Sequence, residues 1–216
     1  MLLLCQMEQV LDVYQRPYDS ENPVVCFDET NKQHIKDVIE SLPTREGDVA
    51  KHDSEYERGG TSNLFMFFEP LAGRRYVTIA NRRTAVDFAD AMKHLVDDLY
   101  PSTPKITVVL DNLNTHTKAS LYKAFKPEEA RRIGDRLIFE FTPKRGSWLN
   151  MAECEFSVLS RQCLSRRIPD RTTLIKEVQA WTKYRNEKTV VTSWQFTIKN
   201  ARTKLKNLYP EIKTSI

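Results

Sequence analysis

The chain has 216 residues, with 33 Lys and Arg against 29 Asp and Glu, a formal net charge of +4, and 40% hydrophobic residues. This is enough to bury a real core in one domain with room for a helical extension. Apolar runs are short, as in Val108–Leu110, which excludes a membrane-spanning helix and a membrane partner, and the five apolar positions Met1–Cys5 lack the basic flank of a signal peptide.

Residues 1–23 read as a lead-in or linker segment with a helix over Leu3–Tyr14, ended by Pro17 and Pro23. The folded domain is expected over 24–216. Val24–Glu29 (VVCFDE) is a compact, β-branched apolar run and predicts a strand. Asn31–Glu57 is polar, carries Pro43 and Gly47, and predicts mostly loop or short helix, with Gly59-Gly60 punctuating the chain after it. Asn63–Glu69 and Arg74–Ala80 predict two strands joined by the turn Pro70–Gly73. Thr84 is a good N-cap for a helix to Tyr100, with Val86, Phe88, Ala89, Met92 and Leu95 at helical spacing. Lys105–Asn112 predicts a strand apolar on both faces, hence central. Helices over Thr117–Phe125 and Pro127–Gly134, a strand Leu137–Phe141, and helices near Leu149–Leu164, Arg171–Arg185 and Phe196–Leu208 complete the order. A hairpin followed by strand–helix alternation implies an α/β fold, a mixed sheet with helices packed on it.

Charge is unevenly placed. Residues 141–216 hold 15 basic and 6 acidic side chains, and residues 1–140 hold 18 and 23. A basic C-terminal third suits contact with a polyanion, or simply a solvated helical surface, and charge alone does not choose. Cys5, Cys26, Cys154 and Cys163 show no metal-finger spacing and read as reduced core residues in a cytosolic protein.

Asp28 and Asp111 are each expected at a strand end, followed by the polar residues Glu29 and Asn112. A single such Asp is usually a cap, but two of them suggest a joint site at the ends of the strands. Facing carboxylates repel unless a cation lies between them, and Mg²⁺ takes hard oxygen ligands while keeping water for phosphates. The helix near Leu149 offers a third carboxylate. Its apolar stripe is Leu149, Ala152, Phe156, Leu159 and Cys163. At 100° per residue Glu153 lies about 90° to one side of the stripe and Glu155 about 70° to the other. The wheel cannot choose between them.

Asp28 in CFDE, Asp111 in LDNLNTH and Glu153 in GSWLNMAE resemble, in order, the three catalytic blocks of the mariner-type transposase superfamily, and within it the bacterial insertion-sequence branch. RGGTSNLFMFFEPLAG, TPKRGSWLNMAE and SRQCLSRRIPD extend the resemblance over about Val24–Pro210. Any one block is weak; the ordered set is strong. It implies an RNase H-like (retroviral-integrase-like) mixed five-stranded sheet flanked by helices. It also implies that Asp28, Asp111 and Glu153 are the catalytic residues and the ligands of two Mg²⁺ ions, with Mn²⁺ substituting. The motif Leu-Asn-x-x-Glu favours Glu153 and makes Glu155 the runner-up.

The implied activity is cut-and-paste DNA transposition: water attacks a phosphodiester at the element end, then the freed 3′ hydroxyl attacks target DNA. Transposon ends and target DNA would be the partners, with a homodimer in the DNA complex and a bacterial cytoplasmic, nucleoid-associated location. The chain departs from the pattern in the 41 residues between Asp111 and Glu153, longer than the resemblance leads one to expect, and in Arg145 where a His is expected.

Supporting expectations are softer. His116, five residues after Asp111, is expected either near the site or as a helix-start residue. Asn112 is expected to orient Asp111 or, by preference, to cap the next helix. Lys144, Arg145 and Ser147 are expected phosphate contacts. Trp148 is a core or lid residue first and a base-stacking residue second. Trp181 and Trp194 read as core. Arg161, Arg166 and Arg167 read equally as a DNA-facing stripe and as a solvated face. The family's recognition module is built of helix-turn-helix units, and 23 residues ahead of the first strand are too few for one. The expectation is that such a domain comes from a missing N-terminal region. Two alternatives to an active transposase are an RNase H-like nuclease without strand transfer and an inactive DNA-binding remnant.

Overall fold

A computed structural model describes residues 2–38, 55–144 and 146–210. A five-stranded sheet in the order β3-β2-β1-β4-β5 forms its middle layer. The strands are β1 (Val24–Asp37), β2 (Tyr56–Glu69), β3 (Arg74–Ala80), β4 (Ile106–Leu110) and β5 (Leu137–Phe141). β1, β2 and β3 form an antiparallel meander, while β4 and β5 run parallel to β1. The sheet is mixed, as expected.

Side-chain alternation divides the core into two halves. Val25, Phe27, Phe65, Phe67, Val108 and Leu110 face helices α2 (Ala85–His94), α3 (Lys118–Ala124) and α4 (Pro127–Arg136). Cys26, Leu64, Met66, Phe68 and Val109 face α1 (Leu2–Gln15), α5 (Met151–Leu159), α6 (Arg171–Glu187) and α7 (Ile198–Lys204). Thr84 closes a reciprocal capping box with Asp87 at the start of α2, as its sequence predicts. α2 and α5 each continue into one wide turn, over Leu95–Leu99 and Ser160–Leu164.

Several expectations change. The helix expected before β1 is present over Leu2–Gln15, but it is more than a lead-in: Leu4, Met7, Val10, Leu11, Val13 and Tyr14 are buried, so its apolar face is built into the core. β1 does not end near Asp28. Asn31–Asp37 continue it and pair with the first half of β2, where a loop or short helix was expected; residues 39–54, His52 included, lie outside the described residues. Gly59 and Gly60 lie within β2 rather than between elements. Register passes from Gln33↔Thr61 to Ile35↔Arg58, so the two glycines together oppose His34 in a β-bulge. Gly60 has φ +99°, and a Cβ on Gly59 would stand 2.8 Å from the Pro169 carbonyl oxygen. Of the four free cysteines, Cys26 and Cys163 are buried but Cys5 and Cys154 are exposed, because both fall on the outer sides of their helices.

Candidate active site

Asp28 occupies the middle of β1 and faces the α5 side, sharing parity with Cys26. Asp111 follows the last residue of β4. Glu153 lies in the first turn of α5. Three elements therefore bring the three sequence-predicted carboxylates toward one region, and the electrostatics record it. Burial lifts the Asp28 carboxyl to about 7, against the backbone N–H of Glu29 that donates to it at 2.8 Å; the charges of Glu153, Asp111 and Glu29 push it further up.

Asn150 anchors α5 to β1. It is fully buried, its Oδ1 accepts the backbone N–H of Ala152 at the N-cap, and its Nδ2 donates to the Phe27 carbonyl at 2.8 Å, one residue before Asp28. Tyr14 of α1 supports the same joint, donating to the Leu149 carbonyl at 2.7 Å. No functional role for Asn150 was drawn from the sequence, although an Asn just before an apolar helical run is an N-cap signal.

Glu153 and Glu155 have different surroundings. Glu155 is 3% exposed and lies 2.8 Å from the Arg75 guanidinium and 2.9 Å from that of Arg185. Arg75, itself fully buried, also donates to the carbonyls of Gly73 and Val190. Glu155 thus neutralises two arginines and ties β3, α5 and α6 together. Glu153 remains partly exposed and contributes its charge to Asp28.

His116, expected only as a softer candidate, is 1% exposed, with Nδ1 2.5 Å from Asp111 Oδ1 and Nε2 2.8 Å from Glu29 Oε2. Burial opposes its charge, but the hydrogen bonds to Asp111 and Glu29 and their negative charges outweigh it and raise the imidazole to about 9, so both ring nitrogens donate at neutral pH. Its ring stacks on Phe88, with centroids 4.7 Å apart. Glu29 was not picked out from the sequence.

Asn112 is exposed and does not cap α3, whose N-cap position is Thr117. Lys144 and Ser147 are exposed beside the entry to α5, and Arg145 lies outside the described residues. Trp148 is 46% exposed and packs on Trp194 and Phe196, Trp181 is buried, and Trp194 packs against the core. Arg166 pairs with Glu177, and Arg167 pairs with Asp37 while lying over the Tyr56 ring.

The donor set suits a hard divalent cation: carboxylate oxygens from three elements, with those of Asp111 and Glu153 each raising the cost of ionising Asp28. Among the described residues no three His, Cys, Asp or Glu side chains already converge as a ready-made ion cage, and one oxygen of Asp111 is engaged by His116. Two cavities of about 250 and 330 Å³ lie elsewhere, around Tyr18 and Glu69. Among the described residues no helix is long and apolar enough to cross a membrane.

Comparison with known proteins agrees with the fold. A Mos1 mariner paired-end complex with Mn superposes with a TM-score of 0.57 at 14% identity, over 86% of this chain and 57% of that one. A Mos1 transposase paired-end complex with left transposon end gives 0.48 at 16% identity, over 86% and 61%. The chain thus spans less than two thirds of these relatives, and the first match shows the RNase H-like fold. No match was found among curated proteins. The family model for the DDE superfamily endonucleases matches residues 23–175. That stretch contains all five strands and α5 and spans most of the chain, so the chain belongs to the DDE superfamily endonuclease family.

Proposed function

We propose that this chain is the catalytic domain of a DNA transposase, cutting DNA at a transposon end and joining the freed 3′ hydroxyl to a target. Asp28, Asp111 and Glu153 are the catalytic carboxylates in this reading, and together they hold two Mg²⁺ ions, for which Mn²⁺ substitutes. The observation that carries it is the family match over residues 23–175 together with the approach of Asp28 on β1, Asp111 just past β4 and Glu153 in the first turn of α5, whose mutual repulsion a bound cation would relieve. When bound, a divalent metal pair activates the attacking oxygen and neutralises charge on the leaving oxygen.

The chain's own residues supply position and field. Asp28 is set by the sheet, Glu153 by the Asn150 tether, and Asp111 by His116. Lys144 and Ser147, exposed beside α5, are placed to steer the phosphate backbone. Trp148 offers an exposed ring at the same entry. Binding of transposon ends, a homodimer in the DNA complex, a recognition domain supplied from outside residues 1–216, and membership of the bacterial insertion-sequence branch with its nucleoid-associated setting all belong to this proposal. They rest on the motif resemblance, and the binding of transposon ends also on the Mos1 mariner paired-end complex.

The test is nicking of supercoiled plasmid at low salt by the purified chain in Mg²⁺, Mn²⁺ or EDTA, beside Asp28→Asn and Asp111→Asn. Metal-dependent nicking lost in both folded variants is the expected outcome. Nicking that persists in EDTA or in both variants would refute the carboxylate assignment. A labelled 3′ end recovered in a second plasmid separates strand transfer from hydrolysis alone.

A further inference from the structure

β1 and β4 are paired only from Val24↔Thr107 to Cys26↔Val109. Asp28 and Asp111 each lie two residues beyond the last pair, where the ladder no longer sets the spacing of the two strands. Something else has to hold two repelling carboxylates in register.

Side chains alternate along β1, so Asp28 and Glu29 point to opposite faces. Asp28 takes the α5 face. Glu29 takes the other, with Val25 and Phe27, and its side chain is only 5% exposed. A carboxylate buried away from solvent requires a partner. That partner is His116, delivered by the loop between β4 and α3. Its Nε2 lies 2.8 Å from Glu29 Oε2 and its Nδ1 2.5 Å from Asp111 Oδ1. Phe88 stacks on the ring and Phe27 meets it edge-on, with its centroid 5.4 Å away. The imidazole is rigid and its two ring nitrogens point in fixed directions, so Glu29, His116 and Asp111 form a strut of set length across the gap left by the ladder. The Asp111 side chain keeps 31% exposure, so the strut occupies one oxygen and leaves the carboxylate open toward the site.

We infer that Glu29 is a positioning residue: acting through His116, it fixes the placement of the Asp111 carboxylate relative to Asp28. The inference rests on the metal-site reading above and extends it to a residue that touches neither metal nor DNA. Adjacent positions of one strand divide the work, Asp28 facing the site and Glu29 bracing it from behind. Bracing groups of this kind typically change metal affinity about 10–100-fold when removed.

The test uses the full chain and three measurements. His116→Asn, which breaks the same strut at its middle, should raise the Kd for Mn²⁺ by the same order as removal of the Glu29 charge. Calorimetry without DNA should show the Kd for Mn²⁺ rising on the order of tenfold in the volume-conserving Glu29→Gln. Plasmid nicking in Mn²⁺ should lose kcat by a similar factor in that variant while KM for plasmid stays unchanged. A purely structural role would lower Tm but leave the Mn²⁺ Kd of the folded variant at the wild-type value, and that result overturns the inference. So does a folded His116→Asn variant that binds Mn²⁺ as wild type does, which decides the matter even where Glu29→Gln does not fold. If wild type binds Mn²⁺ and nicks, and folded Glu29→Gln does both equally well, the strut fails alone. If folded wild type does neither, the metal-site reading beneath it fails.

Discussion

Near neutral pH Asp28 is close to the midpoint of its own titration, since burial and the charges of Glu153, Asp111 and Glu29 hold it at about 7. Its ordinary value is 3.8, so between about pH 4 and 7 the folded chain binds a proton that the unfolded chain has lost. Stability from this group therefore falls as pH rises through that window. The full shift corresponds to about 4 kcal/mol, reduced to on the order of 2 by the solvent the group still meets. In metal-free buffer Asp28→Asn should melt above wild type at pH 8, and the difference should close toward pH 4. Thermal melts in EDTA across that range check this, and a gap that does not vary with pH would contradict it. Millimolar Mg²⁺ should raise the wild-type Tm at pH 8 and leave that of Asp28→Asn unmoved, since only the carboxylate form gains from the ion. Asp28 and Asp111 could be read from the sequence because an Asp within or beside an apolar strand is conspicuous. Glu153 could not be separated from Glu155 on the helical wheel, which records angle but not partner. What separates them is Arg75 on β3 and Arg185 on α6, neither a sequence neighbour.

α5 is the element on which those two glutamates diverge, and paired substitutions should expose it. Glu155→Gln leaves the buried Arg75 and the half-buried Arg185 guanidinium groups without their carboxylate and should cost about 3–5 kcal/mol in urea unfolding. Glu153→Gln should change stability by less than about 1 kcal/mol while abolishing nicking. Equal stability losses in the two would show that both are structural. Asn150→Ala removes an N-cap worth about 1 kcal/mol and leaves the Phe27 carbonyl without its buried partner at about 1–3 kcal/mol more. It should lower both the unfolding midpoint and the nicking rate; an unfolding midpoint equal to wild type would remove the tether from the account. Most elements were legible from capping and periodicity, including α2 behind Thr84 and the turn Pro70–Gly73 between β2 and β3. The ribbon of Asn31–Asp37 with Tyr56–Ser62 was not. Its residues are polar and largely exposed on both sides, so no alternation marks them, and its strand character comes from backbone pairing across a bulge that composition does not reveal.

Across the whole molecule, the basic bias of residues 141–216 fits the proposed role, in which DNA binding would be dominated by phosphate contact. Nonspecific duplex affinity should fall linearly on a log–log plot against salt, with a slope near −0.9 per phosphate neutralised. A slope near zero would show that this surface is merely solvated. A mixed sheet was legible from the order of strands and helices, but the placement of β4 beside β1 was not, because the pairing of Val24–Cys26 with Thr107–Val109 joins residues far apart in sequence with no local signal.

The two ends of the described chain also meet. Glu8 of α1 accepts from Arg202 at 2.8 Å and from Tyr209 at 2.9 Å, and Tyr14 reaches Leu149. During translation α1 leaves the ribosome before every other described element, while α7, which packs on it, leaves nearly two hundred residues later. At typical synthesis rates that delay is roughly ten to thirty seconds. Throughout it the nascent chain displays an uncovered greasy stripe, which makes the half-made protein a natural client for chaperones that shield such surfaces until synthesis is nearly complete.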